Sequence, residues 1–225
     1  MPVKNDSTVI LHQNVLLRVS RTNPSSQKLC LLLHGWNGDE NSMQIFFSNL
    51  PEEYALIAPR AFYPTVEGGY TWAPSLTQWT RIPEKEPLAL DELIQSSRRI
   101  YELLPQWIKF LDLNISEVAL VGFSQGAALS LLLGFLSTSD FKRIACLSGF
   151  LPDGFENRLE TTNIKNKDIL IAHGTQDEII PVEKARKMSK QLSEMGANVS
   201  YCEDKIGHKT SLSCRKKLES FFSVD

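Results

Sequence analysis

VALVGFSQGAALSL, Val118 to Leu131, joins two apolar runs of different kinds, and Ser124 sits at the junction. The residues before it read as a buried strand and those after it as a buried helix. A sharp strand-to-helix turn forces the residue at its tip into strained dihedrals, and small residues two positions to either side let the adjoining backbones pass. Gly122 and Gly126 hold those two positions. Such a mount lifts the Ser124 hydroxyl from the carboxyl end of a sheet. The Gln125 amide opens the following helix, where it faces any negative charge developing nearby. The competing reading is a glycine-rich turn with an incidental serine.

Similar junctions recur along the chain. Short, nearly continuous apolar runs at Lys28–Leu33, Ala55–Ala58, Glu117–Val121, Arg143–Leu147 and Asp168–Ala172 suit strands covered on both faces. Amphipathic segments at Glu40–Asn49, Leu88–Leu111, Gln125–Leu136, Val182–Met195 and Thr210–Phe222 separate them. Val15–Val19 adds an edge or hairpin strand, and Asn198–Tyr201 begins a late one. Pro181 suits the first turn of a helix and Gly196 its stop, while Pro105 implies a kink or two helices. The alternation predicts one α/β domain over residues 1–225, with a mostly parallel sheet and helices on both faces. Between 60 and 87 lies a long excursion rich in proline and aromatics, with Gly68-Gly69 inside it.

Composition narrows the classes of function. With 24 basic and 26 acidic residues the net charge is −2, and no long basic run offers a nucleic-acid surface. Neither a membrane-length apolar segment nor a basic amphipathic stretch is present, so stable membrane insertion is not expected. The N-terminal MPVKNDSTVILHQ lacks a signal-length apolar stretch, which predicts a cytoplasmic chain. The four cysteines show no metal-ligand spacing. A Cys202–Cys214 disulfide is conceivable by separation, but reduced thiols are the simpler expectation in the cytoplasm.

A serine hydroxyl needs a base to become a nucleophile, and only four histidines are available. His12 stands outside any framework. His34 and His173 each end a strand and precede a turn glycine, which suits structural hydrogen bonding. His208, in KIGHKTS, lies on a loop after the last strand and is the predicted base. HGTQDEIIPVEKA supplies the acid, with Asp177 preferred, Asp153 its rival and Asp204 weaker. An N-terminal helix cap or a surface turn is the competing role for Asp177. The order Ser124, Asp177, His208 is that of an α/β-hydrolase. LLLHGWNGDENS supplies an early strand-end loop, whose Trp36 amide would pair with that of Gln125 as an oxyanion hole.

Taken together, LLLHGWNGDE, GFSQGAALSL, SGFLP, HGTQDEIIP and GHKTS resemble the phospholipase/carboxylesterase family of α/β-hydrolases, over roughly Leu29 to Phe222. The resemblance implies hydrolysis of esters or thioesters without metal or organic cofactor. Ala127 stands where many members have glycine, and Ala73-Pro74 after Trp72 is closer to small bacterial esterases than to eukaryotic lipid-protein thioesterases. The resulting expectation is a serine carboxylesterase for small-molecule esters of apolar acyl groups. An acyl thioesterase or lysophospholipase is the first alternative, and a catalytically silent acyl-binding module the second. Tyr63, Tyr70, Trp72 and Trp79 are expected to line an acyl groove, with Phe62 and Leu76 beside them; each could instead anchor the loop to the core. Phe46 and Phe47 are expected to pack a helix, an exposed pair supporting a homodimer instead.

Overall fold

Along Lys28–Leu33, Leu29, Leu31 and Leu33 alternate with Cys30 and Leu32, and all five are fully buried. The first three pack into one apolar core and the other two into a second, on the opposite face. A strand apolar on both faces must be covered on both, and that requirement sets the architecture.

The computed structural model describes residues 7–23, 25–76 and 86–223. Eight strands, β1 (Ser7–His12), β2 (Val15–Ser20), β3 (Lys28–Leu33), β4 (Tyr54–Pro59), β7 (Glu117–Phe123), β8 (Arg143–Leu147), β9 (Asp168–Gly174) and β10 (Asn198–Asp204), form one sheet. Its order is β1-β2-β4-β3-β7-β8-β9-β10. β2 runs antiparallel to β1 and β4, and every later neighbour is parallel. Gln13 and Asn14, at φ 49° and 63°, turn the β1–β2 hairpin with the twist that two-residue hairpins favour. Helices α1 (Glu86–Phe110), α2 (Gln125–Leu136) and α3 (Val182–Glu194) cover one face. Helix α4 (Leu212–Ser223) and a 3-10 helix at Ser42–Asn49 cover the other, so the molecule is a three-layer α/β/α sandwich. Helix α2 is buried from Gln125 to Phe135, as expected of a helix apolar all round.

Two expectations need correction and two are narrowed. The helix foreseen at Glu40–Asn49 is a 3-10 helix starting at Ser42, because the Asp39 carboxylate takes the Asn41 N–H and the Ser42 hydroxyl into its own turn. Pro105 lies inside one continuous helix, on its exposed side, so the two-helix alternative does not hold. Phe46 and Phe47, 1% and 2% exposed, pack the 3-10 helix into the core as expected and so offer no exposed pair. Cys202 and Cys214 are not reduced but form a disulfide, since β10 and α4 run back past each other with Cα atoms 5.8 Å apart. Among the described residues no helix is long and apolar enough to cross a membrane.

The disulfide closes a 12-residue separation between a strand and a helix. Replacing both cysteines by alanine is expected to lower unfolding free energy by about 3 kcal/mol, as loop-closure entropy returns to the unfolded chain. Urea denaturation with and without reductant checks this. The double variant should match the reduced parent.

Candidate active site

Ser124 follows β7 and precedes α2, with φ 53° and ψ −117°. A left-handed non-glycine residue stores roughly 1–3 kcal/mol, so the surrounding structure must hold it there. The Ser124 N–H donates to the Leu147 carbonyl at 2.8 Å, and its own carbonyl accepts from Ala127 N–H at 3.0 Å. A Cβ on Gly122 would lie 2.2 Å from the Gly126 carbonyl oxygen, and one on Gly126 would lie 2.0 Å from that of Leu33. Neither position can carry a side chain.

His208 and Asp177 reach the serine from neighbouring strand ends. His208 Nε2 is 3.0 Å from Ser124 Oγ, and His208 Nδ1 is 2.7 Å from Asp177 Oδ2. With the carboxylate on Nδ1, that nitrogen carries the proton and Nε2 accepts from the serine hydroxyl. The other oxygen, Asp177 Oδ1, accepts from the Ile179 and Ile180 N–H groups, both at 2.9 Å. The turn-forming role weighed for Asp177 therefore coexists with its contact to His208. The His208 loop is laced to its neighbours. Thr175 and Gln176 N–H donate to the Asp204 and Ile206 carbonyls, and the Ser148 hydroxyl donates to that of Lys209. A Cβ on Gly174 would strike the Ile206 oxygen at 2.1 Å. Phe123 packs against the imidazole with ring centroids 5.1 Å apart.

The rival acids are elsewhere. Asp153 pairs with Lys187 at 2.6 Å on the surface, and this hydrogen bond holds its carboxyl below the usual range. Asp204 accepts from the Ser213 hydroxyl. His173 is buried, with Nε2 2.8 Å from the Ile180 carbonyl. His34 is buried too: Ala61 N–H donates to its Nε2 at 3.0 Å, and its Nδ1 donates to the Gly35 carbonyl at 2.7 Å. Cys30 and Cys146 are fully buried, which pushes both thiols up and away from thiolate chemistry.

The excursion after β4 does something the sequence did not disclose. Strands β5 (Tyr63–Pro64) and β6 (Tyr70–Thr71) form a small hairpin that pins the His34–Asp39 loop. Asn37, itself left-handed at φ 60°, accepts through Oδ1 from Gly69 N–H at 3.0 Å and from the Thr65 hydroxyl. A Cβ on Gly69 would sit 2.1 Å from the Asn37 carbonyl oxygen. The Gln125 side chain ties the hairpin to α2, accepting from Trp72 N–H at 3.1 Å and donating to Thr71 Oγ1 at 2.9 Å. Sequence reasoning used only the Gln125 backbone. In the sequence, Gly68-Gly69 is the visible sign of this close approach.

A cleft of about 440 Å³ opens at Ser124 and His208. Its apolar walls are Met43, Ile45, Phe46, Phe123 and Ile179, and Trp36 stands at its edge. Among the described residues, the expected aromatics do not line it. Trp72 is fully buried, its indole N–H donating to the His34 carbonyl at 2.9 Å, so it anchors the loop to the core. Tyr70 stacks under Arg60, 4.5 Å from its ring, and Tyr63 packs edge-on to Phe62. Phe62 lies under Arg99, and neither it nor Leu76 lines the cleft. Trp79 falls outside the described residues. The excursion borders the site by bracing its loops.

Sheet order, elbow and strand-end loops together define the α/β-hydrolase fold. The chain belongs to the phospholipase/carboxylesterase family, whose model matches residues 15–223. Acyl-protein thioesterase 1 of Debaryomyces hansenii is 27% identical over 199 residues, covering 80% of this chain and 82% of the relative. Acyl-protein thioesterase 1 of Gibberella zeae is 32% identical over 88 residues, a stretch covering 38% of this chain and only 37% of that relative's length. A carboxylesterase crystal structure from Mesorhizobium loti superposes with a TM-score of 0.80 at 20% identity, covering 99% of this chain and 100% of the other.

Burial lowers the His34 pKa to about 4 from 6.5, against a smaller opposing effect of its bond to Gly35. The unfolded imidazole takes its proton near pH 6.5 and the folded one only near 4. The unfolded state thus binds more protons in that window, and stability falls as pH drops from 6.5 to 4, by about 3 kcal/mol. Denaturation of the parent and His34→Gln across these pH values checks the assignment. The variant should lack this part of the slope, and an unchanged slope would contradict it.

Proposed function

We propose that this protein is a serine hydrolase that cleaves carboxylic esters of apolar acyl groups through an acyl-enzyme intermediate. One observation carries the reading. Ser124, His208 and Asp177 form an unbroken hydrogen-bonded relay at the mouth of an apolar cleft.

In the cycle, His208 Nε2 takes the Ser124 proton while Oγ attacks the acyl carbon. Negative charge moves to the carbonyl oxygen, which the backbone N–H groups of Trp36 and Gln125 would stabilise. The imidazolium then gives its proton to the departing alcohol as the carbon–oxygen bond breaks. Water, deprotonated by His208, attacks the acyl-serine; the tetrahedral adduct collapses, Oγ regains a proton, and the free acid leaves. Asp177, held at Oδ1 by two amides, keeps the Nδ1–H tautomer and stabilises the imidazolium. Met43, Ile45, Phe46 and Ile179 provide an apolar surface for the acyl chain.

A thioesterase is the second reading, and the names of the relatives favour it, because the same relay can expel a thiolate. A lysophospholipase would use it too. A silent binding module accounts for the cleft but gives no role to a serine strained at φ 53° and bonded to a histidine. Butyryl esters and matched butyryl thioesters, tested on the parent and Ser124→Ala, separate these readings. The parent should turn over the ester, and Ser124→Ala should lose at least about a thousandfold in kcat. Retained turnover in a pure, folded variant would sink the mechanism, and a clear preference for the thioester would move the reading to thioesterase.

A further inference from the structure

The cleft lining carries two cations and, among the described residues, no counter-charge. Lys209 and Arg215 both line the cleft, and among the described residues no aspartate or glutamate does. Neither cation makes an ion pair with a described carboxylate. The carboxylates around them are otherwise engaged. Asp39 accepts from Asn41 and Ser42, Glu40 is held by Arg60 at 2.6 and 2.9 Å, Asp204 accepts from Ser213, and Asp177 holds His208. Glu178, beside Ile179, is not a lining residue.

Arg215 is half-buried and fixed. Its guanidinium lies 5.2 Å from the Phe46 ring centroid, and Nη1 donates to the Ile45 carbonyl at 3.3 Å. That is one donor of a planar fork shaped to grip a carboxylate or phosphate. Its residue follows Cys214, which the disulfide joins to β10. It also stands in the first turn of α4, an unfavourable place for a cation because the positive end of the helix dipole is there. The first turn itself contains no acidic residue, and the carboxylate bonded there, Asp204, is held by the Ser213 hydroxyl. Lys209 is exposed, directly follows His208 and lines the cleft, and buried Thr210 lines it too.

Resting on the esterase reading above, we propose that Lys209 and Arg215 select acyl esters or thioesters that carry an anionic group, a carboxylate or a phosphate. A substrate anion in the cleft would meet a guanidinium fork and an ammonium, with no described aspartate or glutamate among the lining residues.

Two substrate pairs test this, one for each side of the scissile bond. Phenyl hydrogen adipate against phenyl methyl adipate places the charge on the acyl chain. Meta-butyryloxybenzoate against its methyl ester places it on the leaving group. In at least one pair the charged member should have a kcat/KM about fivefold or more above its neutral partner, since charge-assisted hydrogen bonds outweigh neutral ones. Added salt should shrink that ratio. Arg215→Gln and Lys209→Gln should each lower the charged-to-neutral ratio, and Arg215→Lys should keep more of it than Arg215→Gln. Because the measure is a ratio within one protein, a general loss of folding or activity does not imitate it. Neutral partners turned over as well as charged ones in both pairs, with turnover still dependent on Ser124, would overturn this proposal and leave the esterase reading standing. Absence of any Ser124-dependent turnover would overturn both.

Discussion

No methyl group fits at residues 122 or 126, and the geometry of the site follows from that exclusion. The carbonyl of Gly126 passes within 2.2 Å of where a Cβ on Gly122 would be, and Leu33 closes on Gly126 as tightly. The close approach does three things at once. It holds Ser124 in a left-handed conformation that serine would not otherwise keep. It draws the start of α2 against the end of β3, so that the His34–Asp39 loop lies over the serine. It also lets an α2 that is apolar on every side sink between the sheet and α1, filling one of the two cores. A steric contact in the backbone thus sets the geometry around Ser124 and the core packing together.

The partners of Ser124 are fixed by a different device. Parallel strands β7, β9 and β10 all point their carboxyl ends the same way, which brings three distant loops to one edge. Loops alone would leave the imidazole free to wander. Here the His208 loop is hydrogen-bonded to the turn after β9, supported by Ser148 and bracketed by the Cys202–Cys214 disulfide. On the other side, Asn37, Gly69 and the Gln125 side chain brace the early strand-end loop. Preorganisation of this kind matters because stabilising a developing oxyanion requires donors that need not move during the reaction.

Much of this could be read in the sequence, for physical reasons. Glycines two residues either side of Ser124 declare a tight turn, and apolar runs ending in His-Gly or Gly-Phe-Ser declare strand ends at one edge. That was enough to place Ser124, Asp177 and His208 near one another, and the parallel sheet followed from uninterrupted apolar strands. The cleft wall was not legible. Met43, Ile45 and Ile179 come from segments remote in sequence, and nothing in their local pattern distinguishes a wall from a core. Trp72 misled for the complementary reason: aromatic content measures apolar surface, not which side of a loop it faces. The Cys202–Cys214 disulfide is conceivable from separation alone, but only the folded path of β10 and α4 decides for it over reduced thiols.

The central claim is that Ser124 is a nucleophile made reactive by His208. The most direct measurement treats the folded protein with a fluorophosphonate and locates the adduct by peptide mass analysis. The account requires a single adduct on Ser124, formed much more slowly in His208→Ala. Modification of a different residue, or equally fast labelling of Ser124 without His208, would contradict it.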